Sequence, residues 1–267
     1  MEKYIFFDVD GTLVPFGKKM TQSTFASLQK AKSLGHKILL ATGRAPAEID
    51  PSLFDFDFDG GVYSAGAFVE YCGKVLHKSY FNLSEVGFIF SYARENGIDL
   101  LIQTPEGSFL TSQFKKTLKN LFMTSFGRQL AIANLKEETS LKQRPDITKV
   151  IIHSQKKTIT EIRKDLAPYF NIVDNTMGVP VDFTAEIMQK GVNKATGIAC
   201  FERLLSLNHS QIIAIGDGVN DKEMIAYAAK GIAMENSTEE VKKIADFVTT
   251  SVEKDGIKKA LEYCGII

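Results

Sequence analysis

Asp8-Val9-Asp10-Gly11-Thr12 closes the apolar run Ile5-Phe6-Phe7, which sets two carboxylates and a glycine turn at the end of a short strand. The run has no strict alternation, as a parallel strand covered on both faces would read. In an open α/β sheet the carboxyl ends of strands are where ligands bind. Charges buried there need a purpose. Capping a helix would use one aspartate, and Pro15 and Gly17 delay the next helix to about Thr21. The chemical reading assigns one carboxylate as nucleophile and the other as acid/base, with a cation holding them together.

Three further segments place polar groups after an apolar strand or at a helix entrance. Ala41-Thr42-Gly43-Arg44 offers a hydroxyl and a glycine N–H that an anion can approach closely. Gly191-Val192-Asn193-Lys194 puts a lysine in the first turn of a helix, with Lys190 as a competitor for the same role. Ile212–Ile215 delivers Gly216-Asp217-Gly218-Val219-Asn220-Asp221, where Asp221 opens a helix and could serve as a plain N-cap, which leaves Asp217 unexplained. Together these supply what phosphoryl transfer needs. A carboxylate nucleophile repels a phosphate dianion, so a divalent cation must bridge them. Oxygen ligands from Asp8, Asp217 and a backbone carbonyl suit Mg²⁺. Thr42, Lys194 and loop N–H groups can take up charge on the phosphoryl oxygens. Asp10 can protonate the leaving oxygen and then activate water.

In this order, DVDGTL, ATGR, GVNK and GDGVND resemble the four motifs of the haloacid dehalogenase superfamily. The long insertion between the second and third resembles the type IIB cap of the Cof-like phosphatases. The resemblance spans essentially the whole chain. It implies an α/β fold: a Rossmann-like parallel-sheet core with an inserted α+β cap. It implies Asp8 as nucleophile and Asp10 as acid/base, with Asp10 also lending Mg²⁺ its carbonyl. Thr42, Gly43, Lys194 and Asn220 would bind phosphate. Asp217 would ligate Mg²⁺, and Asp221 would support it directly or through water. Arg44 would touch substrate or pair with an acid such as Glu48. Where relatives commonly read Asn-Gly-Ala after the third core strand, this chain has Ala65-Gly66-Ala67, so a side-chain amide is missing there.

The elements around these motifs agree. Strand and helix alternate from residue 1 to about 82: a helix near Thr21–Ser33, a strand His36–Ala41, a strand Gly60–Ser64, and a hairpin Phe68–Tyr71 and Lys74–Tyr80 about Cys72-Gly73. From about Ser84 the pattern changes to a helix capped by Ser84, strands Ile98–Gln103 and Ser108–Thr111, a helical stretch from about Gln113, strands Ile147–His153, Phe170–Val173 and Met177–Phe183, and a helix Ile159–Ala167. Alternation resumes after Glu186. The domains expected are thus 1–82 with 185–267 as catalytic core and 83–184 as inserted cap.

Composition narrows the function class. The 267 residues carry 32 basic and 32 acidic side chains, so the net charge is zero and a dedicated nucleic-acid binder is not expected. The lysine-richer patches Lys115-Lys116-Lys119 and Lys254-Lys258-Lys259 read as solvated helix faces. Cys72, Cys200 and Cys264 are odd in number and far apart, which fits a reducing cytosol, and Cys200 reads as core. The histidines lack zinc-ligand spacing. No apolar run approaches the ~20 residues of a membrane span, and a strand at the very start leaves no room for a signal peptide. Phe54–Asp59 alternates aromatics and acids; it reads as a connecting segment with its rings inward and acids in solvent. The expected protein is a cytoplasmic, Mg²⁺-dependent phosphatase of small phosphate monoesters such as sugar phosphates, acting through an aspartyl-phosphate. A phosphomutase of the phosphomannomutase type and a non-enzymatic binding module are the alternatives. Specificity is expected in cap residues near Gln103–Ser108 or Met177–Val181.

Overall fold

The computed structural model describes residues 1–111, 134–135, 138–174 and 183–267. The chain forms two compact units: Met1–Arg44 with Ile49–Lys78 and Asn193–Ile267, and Ala45–Glu48 with Ser79–Val192.

In the first unit, β1 (Tyr4–Phe7), β2 (Lys37–Ala41), β3 (Gly60–Tyr63), β4 (Phe68–Tyr71) and β5 (Lys74–Lys78) join three later strands, β12 (Ile212–Gly216), β13 (Lys230–Ala233) and β14 (Phe247–Val248). Their order is β14-β13-β12-β1-β2-β3-β4-β5. Strands β14 to β3 run parallel, and the β4–β5 hairpin closes one edge antiparallel. From β1 the chain winds outward to β2 and β3, then returns to lay β12 on the other side of β1. That reversal makes the carboxyl ends of β1 and β12 a topological switch point, where open α/β sheets bind ligands.

The lack of alternation in these strands follows from burial on both faces. Ile5, Phe7, Ile38, Leu40, Ile213 and Ile215 pack into one core layer with Leu28 and Ala31 of the Gln22–Ser33 helix and with Ile257, Ala260 and Leu261 of the Gly256–Tyr263 helix. Tyr4, Phe6, Leu39, Ala41, Ile212 and Ala214 pack into the other, with Ile198 and Phe201 of the Lys194–Leu204 helix and with Met224 and Ile225 of the Lys222–Tyr227 helix. In the connecting segment Phe56 is buried, but Phe54 is exposed. Asp59 does not face solvent freely, because its carboxylate accepts the Ile38 N–H at 2.8 Å.

The second unit holds a six-stranded sheet in the order β10-β11-β9-β6-β7-β8: β10 (Phe170–Asp174), β11 (Thr184–Gln189), β9 (Lys149–Ser154), β6 (Ile98–Thr104), β7 (Gly107–Leu110) and β8 (Asn134–Leu135). All its pairings are antiparallel except β7 with β8. Helices Leu83–Asn96 and Ile159–Leu166 pack through Val86, Phe90, Ile162 and Leu166 on Leu100, Ile102, Val150 and Ile152.

Two sequence expectations change here. The first helix of this unit is capped by Asn82, not Ser84: the Asn82 side chain accepts the Glu85 N–H and the Glu85 carboxylate accepts the Asn82 N–H, a reciprocal capping box. Thr184–Gln189 is a strand, which the mixed pattern of TAEIMQ does not announce. Its pairing with β9 and β10 carries the second unit past residue 184, the expected end of the insertion, to Val192. The helical stretch from Gln113, the lysines at 115, 116 and 119, and residues 177–182 of the expected Met177–Phe183 strand lie outside the described residues. Among the described residues no helix is long and apolar enough to cross a membrane.

Candidate active site

Four loops at the carboxyl ends of β1, β2, β3 and β12 converge with the start of the Lys194–Leu204 helix. Asp8 follows β1 directly, and its N–H continues the parallel ladder by donating to the Ile215 carbonyl at 2.9 Å. Asp217 follows β12. Asp8, Asp217 and Asp221 are all buried, and each offers an oxygen within 4.8 Å of the others.

Lys194 completes this cluster. Its ammonium is fully buried and donates to Asp8 at 2.6 Å and to Asp221 at 2.5 Å. Asn193 caps the helix: its side chain accepts the Thr196 N–H at 2.9 Å while the Thr196 hydroxyl accepts the Asn193 N–H at 3.0 Å. A cation in a first helical turn opposes the helix dipole. Lys194 is held there by the two carboxylates, and burial alone would lower its pKa. The charges of Asp221 and Asp8 and their hydrogen bonds overcome that and raise it. Lys190, the competitor, is exposed.

Asp221 stands at the start of the Lys222–Tyr227 helix, but its side chain makes no capping bond to it. One oxygen takes the Lys194 ammonium and the other accepts the N–H groups of Asp217 at 3.0 Å and Gly218 at 2.9 Å. The carboxylate therefore folds the Gly216–Asp221 loop and positions Asp217. Asp217 is itself clamped: the Thr12 hydroxyl donates to one oxygen at 2.7 Å and the Asn236 amide donates to the other at 2.8 Å. The same amide reaches the Gly11 carbonyl at 3.3 Å, tying the first and fourth motif loops together. Gly11 has φ +90°, and a Cβ there would lie 2.4 Å from an Asp217 oxygen, so only glycine fits. Thr12 lies inside the first motif but has no assigned role in the sequence reading. Asn236 is missed altogether. Its only signal is a polar residue just past the apolar strand Gly231–Ala233.

Burial, then the charges of Asp221 and Asp217, push the Asp8 carboxyl well up against the pull of Lys194. Burial and Asp221 push Asp217 up to about 6, with the Thr12 hydroxyl opposing. Crowding explains these directions: three buried carboxylates share one ammonium, so each disfavours a charge on the others.

Arg44 sits half-buried after β2 and grips Asp10 in a two-pronged fork, Nε to one oxygen and a terminal nitrogen to the other, both at 2.8 Å. Asp10 is thus an acidic partner of Arg44. Glu48 lies in the second unit, where it accepts from Gln103 Nε2 at 2.7 Å and from the Ser108 hydroxyl. Thr42 is buried, and its hydroxyl accepts the Arg44 N–H at 3.1 Å across Gly43. Asn220 is half-buried and folds over Gly218, its amide oxygen 2.3 Å from where a Cβ would stand. Ala65 holds a left-handed backbone, φ 53° and ψ 34°. Asparagine is the non-glycine residue that bears this conformation best, which gives the commoner Asn-Gly-Ala a backbone reason besides its amide. Relief of ~1–2 kcal/mol of local strain, offset by ~0.4–1 kcal/mol of added unfolded-state entropy, predicts that Ala65→Gly raises stability slightly. Thermal unfolding checks this as a midpoint shift of about +2 °C.

A sequence profile of haloacid dehalogenase-like hydrolases matches residues 5–261. YkrA of Bacillus subtilis (strain 168) is 29% identical, aligned over 99% of this chain and 98% of its own. The 5-amino-6-(5-phospho-D-ribitylamino)uracil phosphatase YitU of the same organism is 25% identical over 97% and 96%. Among solved structures, the subclass IIB sugar phosphatase BT4131 superposes with a TM-score of 0.83 at 28% identity, covering 99% of this chain and all (100%) of its own.

Proposed function

Because the chain belongs to the haloacid dehalogenase-like hydrolases, we propose that it is a Mg²⁺-dependent phosphatase that hydrolyses small phosphate monoesters through an aspartyl-phosphate on Asp8. The observation that carries this reading is the Lys194 ammonium bridging two of three clustered carboxylates at the switch point of the sheet.

The residues fit a divalent cation. The donors are hard oxygens, and a divalent cation would relieve the crowding of three carboxylates around one ammonium. Asp8, Asp217 and the Asp10 carbonyl would hold Mg²⁺, with Asp221 behind them; the ion would offset repulsion between the Asp8 carboxylate and the phosphoryl oxygens. Asp8 attacks phosphorus, forming an Asp8–O–P bond as the bond to the leaving oxygen breaks. Asp10 gives that oxygen its proton. It then takes a proton from the water that hydrolyses the acyl phosphate, which regenerates Asp8. The Arg44 fork aims Asp10 when its carboxylate is ionised. Thr42, Lys194, the Gly43 N–H and Asn220 take the phosphoryl oxygens.

Orientation of Asp217 by Thr12 and Asn236 has a measurable consequence. Asn236→Ala is expected to weaken Mg²⁺ binding by about 10–100-fold, the usual effect of removing a partner behind a metal ligand. Calorimetric titration of the metal-free protein checks this without turnover.

The substrate class rests on the relatives: a sugar phosphatase and a phosphoribityl-uracil phosphatase support a phosphorylated polyol or sugar. Phosphate release from a panel of sugar phosphates, nucleotides and cofactor phosphates, with Mg²⁺ and with chelator, tests the whole reading. Mg²⁺-dependent release, strongest for sugar or polyol phosphates, is expected. No release from any ester, or transfer between hydroxyls without release, overturns it.

A further inference from the structure

Three consecutive residues after β3 hold positive φ: Ser64 at 48°, Ala65 at 53° and Gly66 at 110°. Two of them are not glycine, and such strain persists only where the surroundings impose it. The buried Ser64 hydroxyl has no hydrogen-bond partner among the described residues, so its side chain does not account for the turn. The backbone does. Ser64 N–H donates to the Arg44 carbonyl at 2.8 Å and Ala65 N–H donates to the Thr42 carbonyl at 2.9 Å. On its other side the turn meets the peptide that starts the Lys194–Leu204 helix. A Cβ on Gly66 would lie 2.1 Å from the Asn193 carbonyl oxygen and 2.6 Å from its carbon. One helical turn further on, a Cβ on Gly197 would lie 2.5 Å from Val62 Cγ1 and 3.0 Å from Gly66 Cα.

We propose that the Ser64–Gly66 turn is a positioning segment, a backbone strut that sets the separation between the Thr42 loop and the Lys194 ammonium. It rests on the phosphatase reading, in which Thr42 and Lys194 share the phosphoryl group. The physical reason lies in what the contact is made of. Side chains repack by changing rotamer, whereas peptide against peptide has no such freedom. Gly66 and Gly197 remove the side chains that would stand between the loop and the helix. The helix then stops where its first peptide meets the turn, and Lys194 reaches Asp8 and Asp221 together. A bulkier residue at 66 shifts that stop by tenths of an ångström or more, enough to misplace an ammonium that must serve two carboxylates and a developing charge.

The test compares Gly66→Ala with Gly256→Ala. The added methyl at 256 meets backbone just as tightly, 2.1 Å from the Thr250 oxygen, but at the start of the last helix. p-Nitrophenyl phosphate is the substrate, orthovanadate the probe of transition-state binding, and thermal unfolding the measure of stability. Both variants are expected to lose thermal stability. Gly66→Ala alone is expected to lose about 10–100-fold in kcat, with KM little changed and vanadate inhibition weakened by a similar factor. Should Gly66→Ala not fold, Gly197→Ala is read the same way, with Val62→Ala in the same chain expected to restore most of the lost turnover. If Gly66→Ala and Gly256→Ala differ only as their folded fractions do, or if Val62→Ala restores nothing, the strut is refuted while the phosphatase stands. A wild-type protein without Mg²⁺-dependent release from any ester removes both.

Discussion

Asp8→Asn is expected to lower phosphate release on the order of 10⁴-fold or more while leaving the protein folded. The size of the loss follows from the chemistry: an amide cannot form the acyl phosphate, and losing a nucleophile leaves only what binding and charge stabilisation supply. The survival of the fold follows from the electrostatics. Burial and Asp221 oppose a charge on Asp8, so a neutral amide of the same shape relieves the crowding of three carboxylates around one ammonium. The Lys194 ammonium keeps Asp221 as partner. Thermal unfolding of metal-free Asp8→Asn should therefore show a midpoint equal to or above that of the wild type, beside an activity indistinguishable from background. A variant that is inactive and also unfolded would mean that Asp8 holds the structure rather than the reaction.

Lys194→Met is expected to fail on both counts. Methionine fills about the same space without the charge, so packing is largely kept and the loss is electrostatic. Breaking a buried pair from one side typically costs ~3–5 kcal/mol, because the partner charge is left without compensation. Here two carboxylates are left, Asp8 and Asp221, both bonded to that one nitrogen. Turnover should fall by about 10²–10³-fold or more, the scale for removing one preorganised donor to a developing negative charge. The two substitutions are coupled: Asp8→Asn in the Lys194→Met background removes one of the stranded charges and should return part of the lost stability. A double-mutant cycle on thermal or denaturant unfolding reads this coupling directly. Strict additivity would contradict the shared buried cluster.

The local pieces of this site were legible because they are written in short stretches of chain. An apolar run that ends in Asp-x-Asp-Gly can be seen without knowing its neighbours, and so can Gly-Asp-Gly after Ile212–Ile215. Lys194 is preferred over Lys190 because GVNK before a helix resembles the third motif. The resemblance to haloacid dehalogenases then named Asp8 as the nucleophile and supplied a role for Asn220, which the residues alone left open. Legibility failed where pairing with distant chain decides the outcome. TAEIMQ reads as neither strand nor helix, yet Thr184–Gln189 becomes a strand because β9 and β10 flank it on both sides. Ser84 looks as good a cap as Asn82, and only the reciprocal bond with Glu85 distinguishes them.

By itself, the sequence determined the alternation of strands and helices, the burial of the first sheet on both faces, and the identity of the charged groups at its carboxyl edge. All three depend on residue type and near-neighbour spacing, which folding cannot alter. The tertiary structure alone decided who partners whom. β12 lies beside β1 only after the chain reverses direction, and that brings Asp217 to Thr12 across 205 positions of sequence. It put Arg44 on Asp10, Glu48 on Gln103 and Ser108, Asn236 on Asp217, and the Gly66 backbone against Asn193. Such contacts depend on angles and separations of a few ångströms between segments far apart in the chain. Hydrogen bonds and desolvated charges are sensitive to those separations, and periodicity carries no record of them.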